Sequence, residues 1–220
     1  MALLHRAELR PTKLELLAAW LPGRPWYQGA AAADVERVAA FRFDDPAGAV
    51  GVETMLVRAG TGPIHQVPLT YRDAPLDGAD DWLIGTTEHS VLGRRWVYDG
   101  CGDPVYVATL TDVIYSGGVQ ADEYFEVDGA VEHRAPNMLV TGSGVADADI
   151  PATGALRRVT DEEDSTVVTT DSVQLTVLRR LPAGNPVAGA ILTGTWDGQP
   201  TPVTLAYADP TLSPDHAQRR

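Results

Sequence analysis

The sequence is poor in cysteine, in basic residues and in long apolar runs, and each shortage excludes a class of protein. Its single cysteine, Cys101, rules out an internal disulfide and a cysteine-based metal site. Lys+Arg 17 against Asp+Glu 30 gives a net charge of -13, so phosphate backbones and anionic lipid surfaces would repel the chain. No apolar run approaches the roughly twenty residues that span a bilayer, and residues 1–10 lack the apolar middle of a signal peptide. We therefore expect a cytoplasmic protein whose partners include neither nucleic acid nor membrane.

Residues suited to metal binding or catalysis are also few and poorly spaced. The five histidines never fall at the i, i+4 spacing of a helical metal site, and no HxH pair occurs. Glu88 and His89 are neighbours, so on a strand they point to opposite faces, and a hydrogen-bonding role is favoured for His89 over catalysis. Ser143 lies in GSG rather than in a GxSxG nucleophile elbow, which favours a turn. We predict no catalytic residue, no metal and no cofactor.

Local patterns predict an α+β fold in which a few helices accompany curved antiparallel sheets. In PTKLELLAAWLPG, at residues 11–23, Thr12 and Glu15 have capping-box spacing and apolar residues recur on one face, which predicts a helix over residues 12–21. Asp103 and Pro104 supply an N-cap and a first residue for a second helix over residues 105–116. A pair of strands is predicted within residues 78–100. The other predicted strands cover residues 35–44, 50–58, 64–72, 123–127, 131–133, 165–170, 173–180 and 202–207.

Aromatic residues make up only 7% of the chain, but several fall close together. Trp20, Trp26 and Tyr27 lie at or just after the end of the first predicted helix, and Trp96 lies in a predicted strand. Such side chains anchor hydrophobic cores and also stack on sugar rings. Packing is the favoured role for these four residues, and stacking on a ligand is the alternative. The carboxylates at residues 161–164 are interpreted as a solvated turn.

Three stretches have the motifs of one family in the same order. They are WLPGRPWYQG at residues 20–29, HQVPLTYRDAPLDG at 65–78 and LIGTTEHSVLGRRWVYDG at 83–100. They resemble the N-terminal cap of actinobacterial maltokinases and related sugar kinases. Farther along, STVVTTDSVQLTVLRRLPAGNP at 165–186 resembles the start of the small lobe of these kinases. The chain is thus similar to free-standing maltokinase cap-like proteins of actinobacteria, and the resemblance implies a cystatin-like cap followed by a partial small-lobe sheet.

The resemblance, together with a stretch of small polar residues, divides the chain into four parts. Residues 1–140 would form the cap-like domain. The stretch TGSGVADADIPATG, at residues 141–154, would form nearly all of a linker over residues 141–155. Residues 156–208 would form a degenerate small-lobe-like segment, and residues 209–220 a disordered tail.

The small-lobe resemblance also implies a loss of phosphate chemistry. In the active kinases, a lysine on the strand that matches residues 173–180 holds the nucleotide phosphates, and the matching position here is Thr176. The preceding loop reads TDEEDST, and its four carboxylates would repel a nucleotide triphosphate. The glutamate that pairs with the lysine in kinases has no counterpart in residues 187–196, which contain no acidic residue. The aspartates of the kinase large lobe have no counterpart either.

These observations favour a non-catalytic binding or assembly module in the neighbourhood of alpha-glucan or trehalose metabolism, an assignment that follows from the resemblance alone. The expected partner is another protein or a second copy of the chain, and a carbohydrate ligand is a third interpretation. Two enzymatic alternatives stay open: a residual sugar phosphotransferase, and a hydrolase or small-molecule-binding enzyme that uses His89 and nearby carboxylates.

Overall fold

Three β-sheets and two α-helices make up the described part of the chain in a computed structural model. The structure describes residues 2–4, 7–29, 34–127, 130–146, 149–181 and 189–210. Strands dominate, almost all of them antiparallel, which confirms the coarse α+β expectation. Neither described helix has the length and apolar character that a membrane crossing demands.

The first sheet contains seven strands among the described residues. They are β2 (Leu9–Arg10), β3 (Val35–Phe43), β4 (Gly51–Ala59), β5 (Ile64–Arg72), β6 (Leu83–His89), β7 (Gly93–Asp99) and β14 (Arg180–Leu181). They run in the order β2, β6, β7, β5, β4, β3, and β14 pairs with β5. The strands predicted over 35–44, 50–58 and 64–72 are confirmed, with ends that differ by at most one residue. The strand pair predicted within 78–100 is the hairpin of β6 and β7.

The second sheet contains six strands from the later half of the chain. They are β10 (Met138–Gly142), β11 (Leu156–Asp161), β12 (Ser165–Thr170), β13 (Val173–Leu178), β15 (Ala190–Trp196) and β16 (Gln199–Pro210). Their order is β10, β15, β16, β13, β12, β11. The hairpin predicted to turn at Asp171 is the pair of β12 and β13. The last strand is longer than predicted, so Asp209 and Pro210 belong to β16 and not to a disordered tail.

The third sheet is small and consists of β1 (Ala2–Leu4), β8 (Glu123–Val127) and β9 (Ala130–Arg134). The predicted hairpin of β8 and β9 is confirmed, and β1 pairs with β8 in parallel. The turn predicted at residues 128–129 lies outside the described residues, as do residues 211–220 of the predicted tail.

Helix α1 (Lys13–Trp20) begins at the predicted capping box. The Oγ1 atom of Thr12 accepts a hydrogen bond from the Glu15 N–H at 3.2 Å, and Glu15 Oε2 accepts one from the Thr12 N–H at 2.7 Å. A 3₁₀ turn over Leu21–Gly23, which contains a proline, follows the helix. Leu17 is buried with apolar residues of β4, β5 and β7, so α1 covers one face of the first sheet.

Helix α2 (Pro104–Ser116) begins where the sequence predicts it. The carboxylate of Asp103 accepts from the Val105 N–H at 2.9 Å, and the same carboxylate binds Arg72 through two hydrogen bonds of 2.7 Å. The helix ends at Gly117, whose φ of 70° lies in the left-handed region that glycine adopts without strain.

The other face of the first sheet, helix α2 and the second sheet share one hydrophobic core. Phe41 and Leu56 enter it from the first sheet, Leu110 from α2, and Leu175 and Leu205 from the second sheet. Burying each of these side chains stabilises the fold by about 1.5–3 kcal/mol. The predicted cap and small-lobe segments therefore pack on the same core.

The predicted linker is partly wrong at its N-terminal end. Thr141 and Gly142 belong to strand β10, which pairs with β15. A Cβ atom on Gly142 would lie 1.9 Å from the carbonyl oxygen of Val113, and one on Gly144 would lie 1.8 Å from that of Tyr115. Glycine is required at these two positions because the segment packs directly on the end of α2, where a larger residue would not fit. Its presence does not indicate a flexible linker.

Candidate functional site

Three of the predicted aromatic residues meet at the end of α1. The ring centroids of Trp20 and Trp26 lie 5.8 Å apart, and the ring of His65 lies 6.0 Å from Trp26 and 5.0 Å from Tyr27. Trp26 is fully buried at 0% exposure, whereas Trp20 and Tyr27 are half-buried. The guanidinium of Arg24 lies over the Trp20 ring at 4.8 Å. Trp26 is thus a packing residue, while Trp20 and Tyr27 keep part of their rings at the surface.

Trp96, the fourth predicted aromatic, lies elsewhere. It is a half-buried residue of β7 whose cross-strand neighbours are Arg72 and Thr86. The next residue, Val97, packs beside Trp26 under α1. Because successive side chains of a strand point to opposite faces, Trp96 lies on the other face of the sheet from the cluster. It is therefore not part of one aromatic site with the other three.

His65 is a member of the cluster that sequence reasoning missed. Its side chain is fully buried, and its Nε2 atom accepts a hydrogen bond from the backbone N–H of Gln28 at 3.2 Å. Burial, and after it the nearby positive charge of Arg180, lower the pKa of His65 to about 4. The residue is consequently a neutral imidazole at physiological pH, and its role is to fix the loop after α1 on strand β5.

Arg179 is a fully buried charged residue next to the cluster, and no pattern in the sequence indicates its burial. Its side chain has 0% exposure, and Nη2 donates to Asp99 Oδ2 at 2.6 Å. Nε donates to Thr166 Oγ1 at 2.7 Å, and the guanidinium lies 4.7 Å from the centre of the Trp26 ring. The backbone oxygen of Arg179 accepts from the N–H of Gln66 at 2.8 Å.

The position of Arg179 in the chain explains its partners. It stands between β13 of the second sheet and β14, which pairs with β5 of the first sheet. Its guanidinium binds one residue from each side, Asp99 of the first sheet and Thr166 of the second. Burial raises the pKa of Asp99, and the charge of Arg179 opposes that shift. The pair is thus a buried ion pair at the crossover between the two sheets.

Thr176, which we expected from the small-lobe resemblance to replace the phosphate-binding lysine of kinases, lies in the middle of β13. It is 4% exposed, and its cross-strand neighbours are the half-buried Val167 and Tyr207. A neutral, covered side chain at this position offers no charge to a phosphate group.

The acidic run at residues 161–164 is more structured than a solvated turn. Asp161 accepts a hydrogen bond from the Thr166 hydroxyl at 2.6 Å, and Thr166 in turn accepts from Arg179. Asp164 forms an ion pair with Arg180, and its backbone oxygen accepts from the Arg179 N–H at 2.7 Å. Only the two central glutamates of the run are exposed. The outer aspartates therefore help to hold the crossover arginines in place.

A second buried charge cluster lies beside α1. The Oε2 atom of Glu53 is 2.5 Å from Lys13 Nζ, 3.2 Å from Arg42 Nη2 and 2.7 Å from the Tyr71 hydroxyl that donates to it. Burial alone would raise the pKa of Glu53, but the charges of Lys13 and Arg42 outweigh it and hold the pKa well below its usual range. Burial and the Glu53 charge together raise the pKa of Tyr71. This carboxylate is fully committed to a structural ion-pair network.

The residues weighed for catalysis have structural partners. His89 Nδ1 accepts from the N–H groups of Val91 at 3.2 Å and Leu92 at 3.0 Å, which confirms a hydrogen-bonding role at the turn between β6 and β7. Ser143 exchanges two hydrogen bonds of 2.8 Å with the backbone of Ile191. Across the described ranges, no group of three or more His, Cys, Asp or Glu side chains is arranged to hold a metal ion.

Comparison with known proteins identifies one part of the chain. Residues 20–103 match the family model of the maltokinase N-terminal cap domain. The match contains the aromatic cluster, His65 and Asp99, and it ends at Asp103, the N-cap of α2. Helix α2, Thr176 and Arg179 lie beyond it. A search of the curated proteins found no match.

Proposed function

We propose that this chain, which carries a maltokinase N-terminal cap-like domain at residues 20–103, is a non-catalytic binding or assembly module that serves alpha-glucan or trehalose metabolism. The cap match supports the relation to maltokinases. The pathway and the absence of catalysis are the parts that the proposal adds.

The buried pair of Arg179 and Asp99 carries the proposal. A residue that neutralises phosphate must present its charge to the ligand, but the guanidinium of Arg179 is enclosed, paired at 2.6 Å and covered by Trp26. Thr176 is neutral and covered. The other arginine of residues 165–186, Arg180, is paired with Asp164. This stretch, which we relate to the kinase small lobe, thus commits both of its arginines to internal ion pairs, so it acts as a scaffold.

The test of this part is nucleotide binding. Thermal melting with and without ATP and magnesium should give the same midpoint. The assay would detect binding, because a ligand present at 100 times its Kd stabilises a protein by about 2.7 kcal/mol and raises its melting temperature visibly. A clear upward shift with ATP, absent with magnesium alone, would support the residual phosphotransferase instead.

The test of assembly is the mass of the protein in solution. Light scattering over a range of concentrations should show a second copy joining the chain, or mixing with cell extract should move the chain into a complex of defined composition. A chain that stays monomeric and alone under both conditions would contradict the assembly role.

A carbohydrate ligand is a second candidate, and the half-buried rings of Trp20 and Tyr27 favour it. Calorimetric titration with maltose and trehalose should then give heat that is lost in Trp20→Ala. Trp96→Ala is the matched control, because Trp96 is also half-buried but lies on the other face of the sheet. Equal loss in both variants would exclude the cluster as the sugar site.

A further inference from the structure

A groove with a volume of about 960 Å³ runs along the outer side of α2, and the proposed function leaves it unused. Its walls are the turn between β3 and β4, the segment that follows α2, and residues 150–154. Except for the β3–β4 turn, these parts lie beyond the matched cap. Residues 150–154, which lie in the predicted linker, thus form one wall of the groove.

The floor of the groove is apolar. Phe43 and Val113 are buried beneath it, Val105 and Ile150 are half-buried, and Val119 is 56% exposed. An exposed valine beside further apolar side chains is a surface that a partner can cover with a gain in free energy. A volume close to 1,000 Å³ is at the upper end of small-molecule sites, which favours a peptide segment as the occupant.

The rim of the groove is acidic. Four aspartates line it, Asp44, Asp45, Asp112 and Asp122, and no Lys, Arg or His stands among the lining residues. Asp45 accepts three backbone hydrogen bonds from the β3–β4 turn, so its charge is fixed in position. Asp112 and Asp122 are exposed. Carboxylates around an apolar floor are complementary to a segment that alternates cationic and apolar side chains.

We propose that this groove docks a cationic, partly apolar peptide segment of a partner protein. The inference rests on the proposed role as an assembly module and names the chemistry of the partner. The apolar floor supplies affinity, while the aspartates select arginine or lysine and speed association. Because the whole chain carries a net charge of -13, general attraction of cations occurs everywhere on its surface, so the experiment must separate the groove from that background.

The probe is a fluorescein-labelled peptide of roughly twelve residues that alternates arginine with leucine and alanine, and its binding is measured by fluorescence anisotropy. Ala108 is exposed on α2 inside the groove, so Ala108→Trp should block the groove without disturbing the core. We expect at least tenfold weaker binding for this variant, because the apolar contacts are lost. A melting curve equal to that of the parent would show that the fold is intact.

The charge test uses two double variants that remove the same net charge. Asp112→Asn with Asp122→Asn should weaken binding about fivefold, as expected for two exposed charge pairs. Asp73→Asn with Asp81→Asn is the matched control, because both residues are exposed and lie outside the groove. Its affinity should stay within about twofold of the parent.

Three results would overturn the proposal: no effect of Ala108→Trp, equal weakening in the two double variants, or self-association that disappears with Ala108→Trp, which would make a second copy the occupant. These failures are distinct from failure of the proposed function. ATP binding would remove the non-catalytic role and leave the peptide result unchanged. Peptide binding that is not weakened by Ala108→Trp would exclude the groove as the docking site, and assembly would then depend on another surface.

Discussion

Removal of the buried arginine is the sharpest test of the architecture. In Arg179→Met, an unbranched apolar side chain fills part of the space, but the guanidinium contact with Trp26 is lost and Asp99 keeps a buried charge without its partner. Breaking a buried ion pair in this way costs about 3–5 kcal/mol. The total stability of a domain is about 5–15 kcal/mol, so the variant should melt roughly 10 °C below the parent. Urea unfolding followed by circular dichroism measures the loss directly.

A second substitution identifies the cause of that loss. Arg179→Met with Asp99→Asn removes the isolated charge and keeps an oxygen for the hydrogen bond to the Cys101 N–H, so about half of the stability should return. Arg157→Met is the control, because it breaks an exposed ion pair with Asp171 and should cost less than about 1 kcal/mol. If Arg179→Met cost no more than Arg157→Met, the buried crossover described above would not exist.

Three further predictions concern other buried residues. Trp26→Ala should lower the free energy of unfolding by about 3–5 kcal/mol, and Trp20→Ala by clearly less, in urea unfolding; equal losses would contradict their different burial. The folded pKa of His65 is about 4 and lies below the unfolded value of 6.5, so its contribution is complete above pH 6.5 and is lost as pH falls toward 4. That loss amounts to about 3 kcal/mol, and His65→Gln should flatten the pH dependence of melting between pH 6.5 and 4. Thr176→Lys should leave ATP binding absent in calorimetry and, because the site is 4% exposed, should lower the melting temperature; ATP binding by this variant would restore the kinase interpretation.

Local patterns in the sequence predicted both helices and most of the strands, but not β1, β2, β10, β11 or β15. The elements that were predicted begin with local interactions. The capping box joins Thr12 and Glu15, which are three positions apart, and the α2 cap joins Asp103 and Val105, which are two positions apart. The turn at Asp171 likewise depends on neighbouring residues, because the Thr170 hydroxyl accepts hydrogen bonds from the N–H groups of Ser172 at 3.3 Å and Val173 at 3.0 Å. Each of these features satisfies backbone groups within one turn, so sequence order alone is enough to reveal it.

The residues that join the two sheets could not be predicted in the same way. Arg179 and Asp99 are 80 positions apart, and nothing near Arg179 in the sequence distinguishes it from Arg180, which is half-buried. The strand LTVLRRL reads as one continuous strand, whereas the chain leaves the second sheet at Arg179 and enters the first. Only the packing of two sheets decides which arginine is enclosed.

The linker prediction was partly wrong because glycine occurs both in flexible segments and where two stretches of backbone pack closely together. In TGSG, small residues predict flexibility, but Gly142 and Gly144 lie against carbonyl oxygens of α2 where no side chain would fit. The aromatic residues show a different limit. Strand alternation could have separated Trp96 from Trp26, but only once Val97 was known to face α1.

The same contacts indicate that the working unit of this protein is larger than the matched cap. Residues 20–103 contain Asp99 and Gln66, and in the folded chain both are buried and have polar partners from outside that range. Arg179 neutralises Asp99, and the side-chain amide of Gln66 donates to the carbonyl oxygens of Leu178 and Leu205 at 2.9 Å. The face of the first sheet opposite α1 is covered by α2 and the second sheet. Without these partners, the matched cap would expose that apolar face and leave the Asp99 carboxylate without its cation. The later strands are therefore needed to complete the fold of the cap.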